Sequence, residues 1–330
     1  MQKERVKHID MAAGIMILWM MIGHCGVPGT LYGQYLHRLL FFFMPWFFYK
    51  SGLFFSCSNV AEVANRGGRK LLKSFAIWSM VGYVVYCAVQ LIWRTTSLEE
   101  ALLMYPLRRM LYENLIVCNG PCWFLLTLFF VINIGNILFR RVHPLVVAFF
   151  CLVIGYLINL SQNEKIPDLI ANTATGLCFF SMGYWMQKKE KNIWIIIATI
   201  IGYLVAVLLF RSPFVDMRIN QCLIDRTGYD YLLWFPACLC GIVVLNTICD
   251  WSMKIYRFPI LKFIGVNAML FYVVHDLPLY VTVNTLENVF QIPADSKFGI
   301  AYRTVVCLVT ILSICGYLLI KNNILYAKSK

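Results

Sequence analysis

Residues 9–26 read IDMAAGIMILWMMIGHCG. No side chain between Asp10 and His24 carries a charge, and the run approaches the ~20 residues with which a helix crosses the hydrocarbon core of a bilayer. The same texture recurs along the chain in runs of about 18–22 residues, not in the alternating segments of about ten typical of an outer-membrane barrel. The expected spans are Ile9–Val27, Leu36–Phe55, Ser74–Trp93, Cys122–Phe139, Leu145–Leu160, Leu169–Met186, Ile193–Phe210, Tyr231–Cys249, Leu261–Val283 and Ile300–Ile320. The sequence therefore predicts an all-α, polytopic membrane bundle of about ten transmembrane helices.

Composition agrees with that pattern. Of the 330 residues 60% are hydrophobic and 14% charged, and the mean hydropathy is +0.70. A soluble globule carries about 25% charged residues, so a water-facing surface around one buried core is excluded, as is a disordered chain. Without a soluble appendage or an internal repeat, residues 1–330 read as a single membrane domain. If the N-terminus is cytosolic, the inner segments hold eighteen Lys and Arg and the outer loops eight. This positive-inside bias places both termini in the cytosol and the protein in the cell membrane as a multi-pass chain.

The formal charge of +13 is then a matter of orientation and of anionic headgroups. Membrane lipids, not nucleic acid, are the expected polyanionic partners. The first apolar run reads as a retained span, since no small-residue cleavage site follows it. Most of the thirteen cysteines fall inside spans as small apolar side chains. Cys118, Cys122 and Cys222 map to the outer surface, where a disulfide among them is open. No Cys or His spacing marks a metal site, so no metal is expected.

Polar groups inside spans are costly and tend to face the bundle interior. Asp10 and His24 are fourteen residues apart, near four helical turns, so they share a face at an axial separation of about 20 Å. His275, in FYVVHDLP, falls at a depth similar to His24. Each imidazole reads either as an interfacial side chain held by water or as part of a shared site. The second span, HRLLFFFMPWFFYKSGLFF, has His37 and Arg38 at its outer end. Its Pro45 is expected to kink the helix at mid-span, and its Lys50 to snorkel toward the cytosolic headgroups. The long outer loops, Arg94–Pro121, Arg211–Asp230 and Asn284–Gly299, either cap helix ends or form a vestibule for a polar substrate.

Five segments in order carry a resemblance. IDMAAGIMILWMMIGH resembles the first span of the membrane acyltransferase family 3 proteins, in particular the branch of fucose 4-O-acetylases and surface-polysaccharide O-acetyltransferases. FFFMPWFFYKSGLFF is similar to that branch's second span, RKLLKSFAIWSM to the start of its third, GPCWFLLTLFF to its LWFLLALF segment, and KFIGVNAMLFYVVHDLP to its span near the C-terminus. The resemblance implies transfer of an acetyl or other short acyl group from cytosolic acyl-CoA to a hydroxyl of a cell-surface or lipid-linked glycan. It implies a catalytic His24, with Asp10 and His275 beside it, and substrate-binding roles for Arg38 and Trp123. Acetyl-CoA enters as donor substrate. Arg66, Arg69, Lys70 and Lys73, the densest inward cluster of cations, are the candidates for its phosphates. Where the family has a basic residue in the first span this sequence has Ala13, and Arg69 or Lys70 would then supply the charge. A glycan transporter or exporter component without acyl transfer remains the alternative reading, and a homo-oligomer is compatible with either.

Overall fold

The structure, a computed structural model, describes residues 6–25, 39–93, 97, 99–112, 118–161, 166–187, 192–209 and 228–328. Among them every regular element is helical. Among the described residues five helical segments are long and apolar enough to cross a membrane: Val60–Trp93, Gly120–Leu138, Pro144–Ser161, Tyr231–Ile255 and Lys297–Lys321. A sixth is the pair Pro259–Val266 and Ala268–Asn288, bent by 67° at its break. The protein is thus an all-helical membrane protein.

The remaining expected spans correspond to shorter or more polar helices at the middle of the bundle or beside it. Helix α1 (Lys7–Gly23) is buried on nearly all sides, from Ile9 through Ala12, Ala13, Met16 and Ile17 to Met21. Helix α2 (Phe43–Leu53) has eleven residues. Pro45 occupies its first turn, where the missing N–H has no intrahelical acceptor to lose, so the expected mid-span kink does not occur. Helices α3 (Val60–Gly67) and α4 (Lys73–Trp93) are joined without a break by a wide turn at Gly68–Leu72, which seats Leu71 in the core. Helix α5 (Tyr105–Tyr112) is short; α6 (Trp123–Leu138) and α7 (Pro144–Ser161) follow. Helix α8 (Asp168–Met186) buries Asp168, Asn172, Thr175 and Ser181 among its neighbours. It is an interior helix, shielded from lipid, which is why it can be more polar than its neighbours. Helices α9 (Ile193–Leu209) and α10 (Gly228–Ile255) pack together.

The expected ninth span is three helices, α11 (Pro259–Val266), α12 (Ala268–Val274) and α13 (Asp276–Asn288). The last helix, α14 (Lys297–Lys328), packs on α13 and α1. Two crossings fix the frame through glycine. A Cβ on Gly265 would lie 1.8 Å from the Asp10 carbonyl oxygen, and one on Gly14 would lie 2.1 Å from that of Leu261, so α1 and α11 touch backbone to backbone. Gly52 and Gly183 do the same for α2 and α8. Close approach through small residues is how helices associate where no hydrophobic force separates lipid from protein.

Candidate functional site

The end of α1 meets the second break of the bent span. His24 caps α1, its N–H donating to Met20 O at 3.2 Å, and its side chain is exposed. His275 stands between α12 and α13 and is 1% exposed. The two ring centroids are 5.1 Å apart with planes inclined at 52°. Asp276, the first residue of α13, completes the cluster: one ring nitrogen of each histidine and one carboxylate oxygen lie within 4.8 Å of one another. Among the described residues this is the donor set that could hold a metal ion. The two histidines, 251 positions apart, share a depth already in the sequence, whereas Asp276 as the third donor is legible only in the structure.

Each partner of His24 is held from behind. His275 Nδ1 lies 2.8 Å from the Tyr272 carbonyl. A carbonyl accepts only, so the proton of the neutral ring sits on Nδ1 and the lone pair on Nε2. That Nε2 is buried without a hydrogen-bond partner. Tyr272 in turn donates its hydroxyl to the Pro121 carbonyl, and Gly120 N–H donates to Asp276 Oδ2 at 3.1 Å. Asn119, fully buried, donates its amide to Val273 O at 3.2 Å and to Trp78 O at 3.1 Å. The turn 118–122 therefore clamps the α12–α13 junction.

Cys118 opens that turn at φ 65°, a left-handed conformation that a non-glycine residue holds only where its surroundings impose it. Its thiol is pushed up to about 12 by burial and then by the Asp276 carboxylate, so at neutral pH it is not a nucleophile. Of the three cysteines among which the sequence leaves a disulfide open, Cys118 and Cys122 are free thiols and Cys222 lies outside the described residues.

A cavity of about 480 Å³ opens at the other end of α1. Asp10, Lys50, Ser51 and Lys70 line it near the α1 N-terminus; Ile17, Phe124, Met269 and Tyr272 line its deep part. The Tyr272 ring is 6.3 Å from that of His275, so the Tyr272 side chain stands between the deep end of the cavity and the histidine cluster, whose three residues do not line it.

The structure thus separates some expected partners and unites others. His24 and His275 come together. Asp10 does not join them: it sits on the same continuous helix some four turns away and lines the cavity instead. Asp276 is the carboxylate beside the histidines, and sequence reasoning missed it although it directly follows His275. Of the cationic cluster only Lys70 lines the cavity; Arg66 donates to Ser58 Oγ at 3.4 Å, and Arg69 and Lys73 are exposed beside it. Lys50, expected to snorkel, faces the cavity with its Nζ 5.4 Å from the centre of the Trp46 ring. Trp123 is packed in the core, 9% exposed and edge-on to Phe124, away from the cavity lining. Arg38 lies outside the described residues.

A family model described as an acyltransferase domain matches residues 6–321, nearly the whole chain, including both histidines and the bent span. No curated protein and no solved structure matches it. The chain belongs to acyltransferase family 3 and is an acyltransferase.

Proposed function

We propose that this acyltransferase moves an acetyl or other short acyl group from cytosolic acyl-CoA to a hydroxyl of a cell-surface or lipid-linked glycan, as in the polysaccharide O-acetyltransferase branch. About ten spans, with both termini cytosolic, place the α1 N-terminus at the donor side and His24 at the acceptor side. The observation that carries the reading is the cavity that begins at Asp10, Lys50 and Lys70 and ends at Tyr272, whose ring lies 6.3 Å from that of His275. A nucleotide held at the inner rim would lay its pantetheine arm along this cavity and bring the thioester to the histidines. With Ala13 fully buried where the family has a cation, Lys50 and Lys70 are the side chains that meet the phosphates.

The chemistry assigns one role to each group. His24 is exposed and takes the proton of the acceptor hydroxyl as that oxygen attacks the thioester carbonyl carbon. Asp276 stands beside the imidazolium that forms and stabilises it. When the tetrahedral intermediate collapses, the C–S bond breaks and His24 returns the proton to the departing CoA sulfur, leaving an ester and a free thiol. His275, its proton fixed on Nδ1 by Tyr272, offers Nε2 as a fixed acceptor that orients the incoming hydroxyl. No step calls for a metal.

His24→Ala is the test, read by mass spectrometry of the surface glycan. Loss of acetyl groups from each repeat, with export of the glycan unchanged, is the expected result. Lost export with acetylation of the residual glycan intact would favour the transporter reading instead.

A further inference from the structure

A guanidinium near the end of α1 has no ion-pair partner among the described residues. Arg303, two turns into α14, is 8% exposed. Its Nε and Nη2 are buried with no hydrogen-bond partner. The residue that follows His24 holds its backbone near the end of α1: the Cys25 thiol donates to the Arg303 carbonyl at 3.5 Å and lies within electrostatic reach of the guanidinium. The start of α14 is held as well, because Ser296 Oγ accepts from Gly299 N–H at 3.0 Å and a Cβ on Gly299 would lie 2.6 Å from the Pro293 carbonyl. The site's own carboxylate is already engaged, since Asp276 accepts from Gly120 and faces His24.

A buried arginine inside a membrane bundle marks a substrate path, and its planar fork matches a carboxylate or a phosphate in two parallel hydrogen bonds. The donor offers no such group here. In the acyl-transfer reading above, on which this inference rests, the phosphates of acyl-CoA stay at the other end of α1, about 20 Å away. The reactant that comes to the His24 end is the acceptor. We propose that Arg303 anchors an oxyanion group of the acceptor, a carboxylate or a phosphate, so that the glycan acylated at His24 is an acidic one. The anchored anion lies beside His24 and sets which hydroxyl reaches it.

The test uses the full chain in lipid nanodiscs and follows its thermal unfolding with methyl glucuronide, glucose 1-phosphate or neutral methyl glucoside at constant ionic strength. Wild type is expected to be stabilised saturably by at least one of the two charged sugars and not by the neutral one; the charged sugar that acts identifies carboxylate or phosphate as the group recognised. Arg303→Met is expected to weaken that apparent affinity by at least about tenfold. Without ligand Arg303→Met should melt no lower than wild type, because it removes a buried charge that has no partner. Equal stabilisation by charged and neutral sugars, or an unchanged anion response in Arg303→Met, overturns the proposal. So does a clear loss of stability or of folding in unliganded Arg303→Met, which would give the guanidinium a structural role. Acetyl-CoA binding, measured on the same samples, reports separately on the donor: its absence from wild type would refute the acyl-CoA reading without touching the comparison of anion responses.

Discussion

Gly265→Ala puts one methyl group where α1 and α11 meet, and the structure fixes its consequence. The new Cβ would lie 1.8 Å from the Asp10 carbonyl oxygen, 2.9 Å from the Asp10 carbonyl carbon and 2.7 Å from Gly14 N. All three are backbone atoms, so no rotamer relieves the overlap. Restoring an ordinary carbon–oxygen contact of about 3.3 Å requires the two helices to part by about 1.5 Å, and overpacking of this kind costs about 3 kcal/mol. Asp10, Gly265 and Val266 all line the cavity, so the same displacement reshapes its inner end. The expected outcome is a clearly lowered unfolding midpoint in detergent or nanodiscs, together with weakened acetyl-CoA binding measured by calorimetry. Gly316→Ala is the matched control: a Cβ there meets nothing within 4 Å, and the change should be neutral or stabilise α14 by up to about 1 kcal/mol. A Gly265→Ala protein that unfolds with wild type and binds acetyl-CoA equally well would refute the backbone contact between α1 and α11, and with it the placement of the cavity.

Two further outcomes concern the chemistry. Asp276→Asn keeps the shape but removes the charge that faces His24 across no more than 4.8 Å. With His24 exposed, an effective dielectric constant of about 20–40 gives an interaction of about 2–3 kcal/mol, so kcat should fall about thirtyfold to a hundredfold or slightly more with KM for the donor unchanged; a fall in donor affinity alone would contradict the role given to the carboxylate. Lys70→Gln should raise the KM for acetyl-CoA by up to about fivefold, the range of an exposed ion pair, and leave kcat alone. Lys73→Gln, one turn on and off the cavity, should change neither, and equal effects from both would point to diffuse surface charge.

What the linear chain made legible follows from the kinds of residue it repeats. Long apolar runs can satisfy their backbone in hydrocarbon only as helices, so the helical membrane class could be read directly. The histidines were legible for a related reason, since an imidazole inside an apolar run is expensive enough to attract notice. Pro45 misled because its effect depends on where its helix begins, and that boundary lies at Phe43 and not further upstream. Lys50 misled because snorkelling and facing a cavity look alike in sequence; which occurs depends on the rotation of α2 against α1 and α8. Asp276 and Arg303 were passed over because each looks like an ordinary charge near a helix end until its neighbours are known.

The sequence by itself determined the solvent this chain folds in and the backbone form it takes there, because hydropathy and main-chain hydrogen bonding are local properties summed along the chain. The meeting of His24, His275 and Asp276, the entry of Lys50 and Lys70 into one cavity, and the isolation of Arg303 were decided only in three dimensions. Each depends on a crossing or a bend, at Gly14 and Gly265 or at the breaks flanking α12. Such features set the directions of side chains far apart in sequence, and no local pattern encodes those directions.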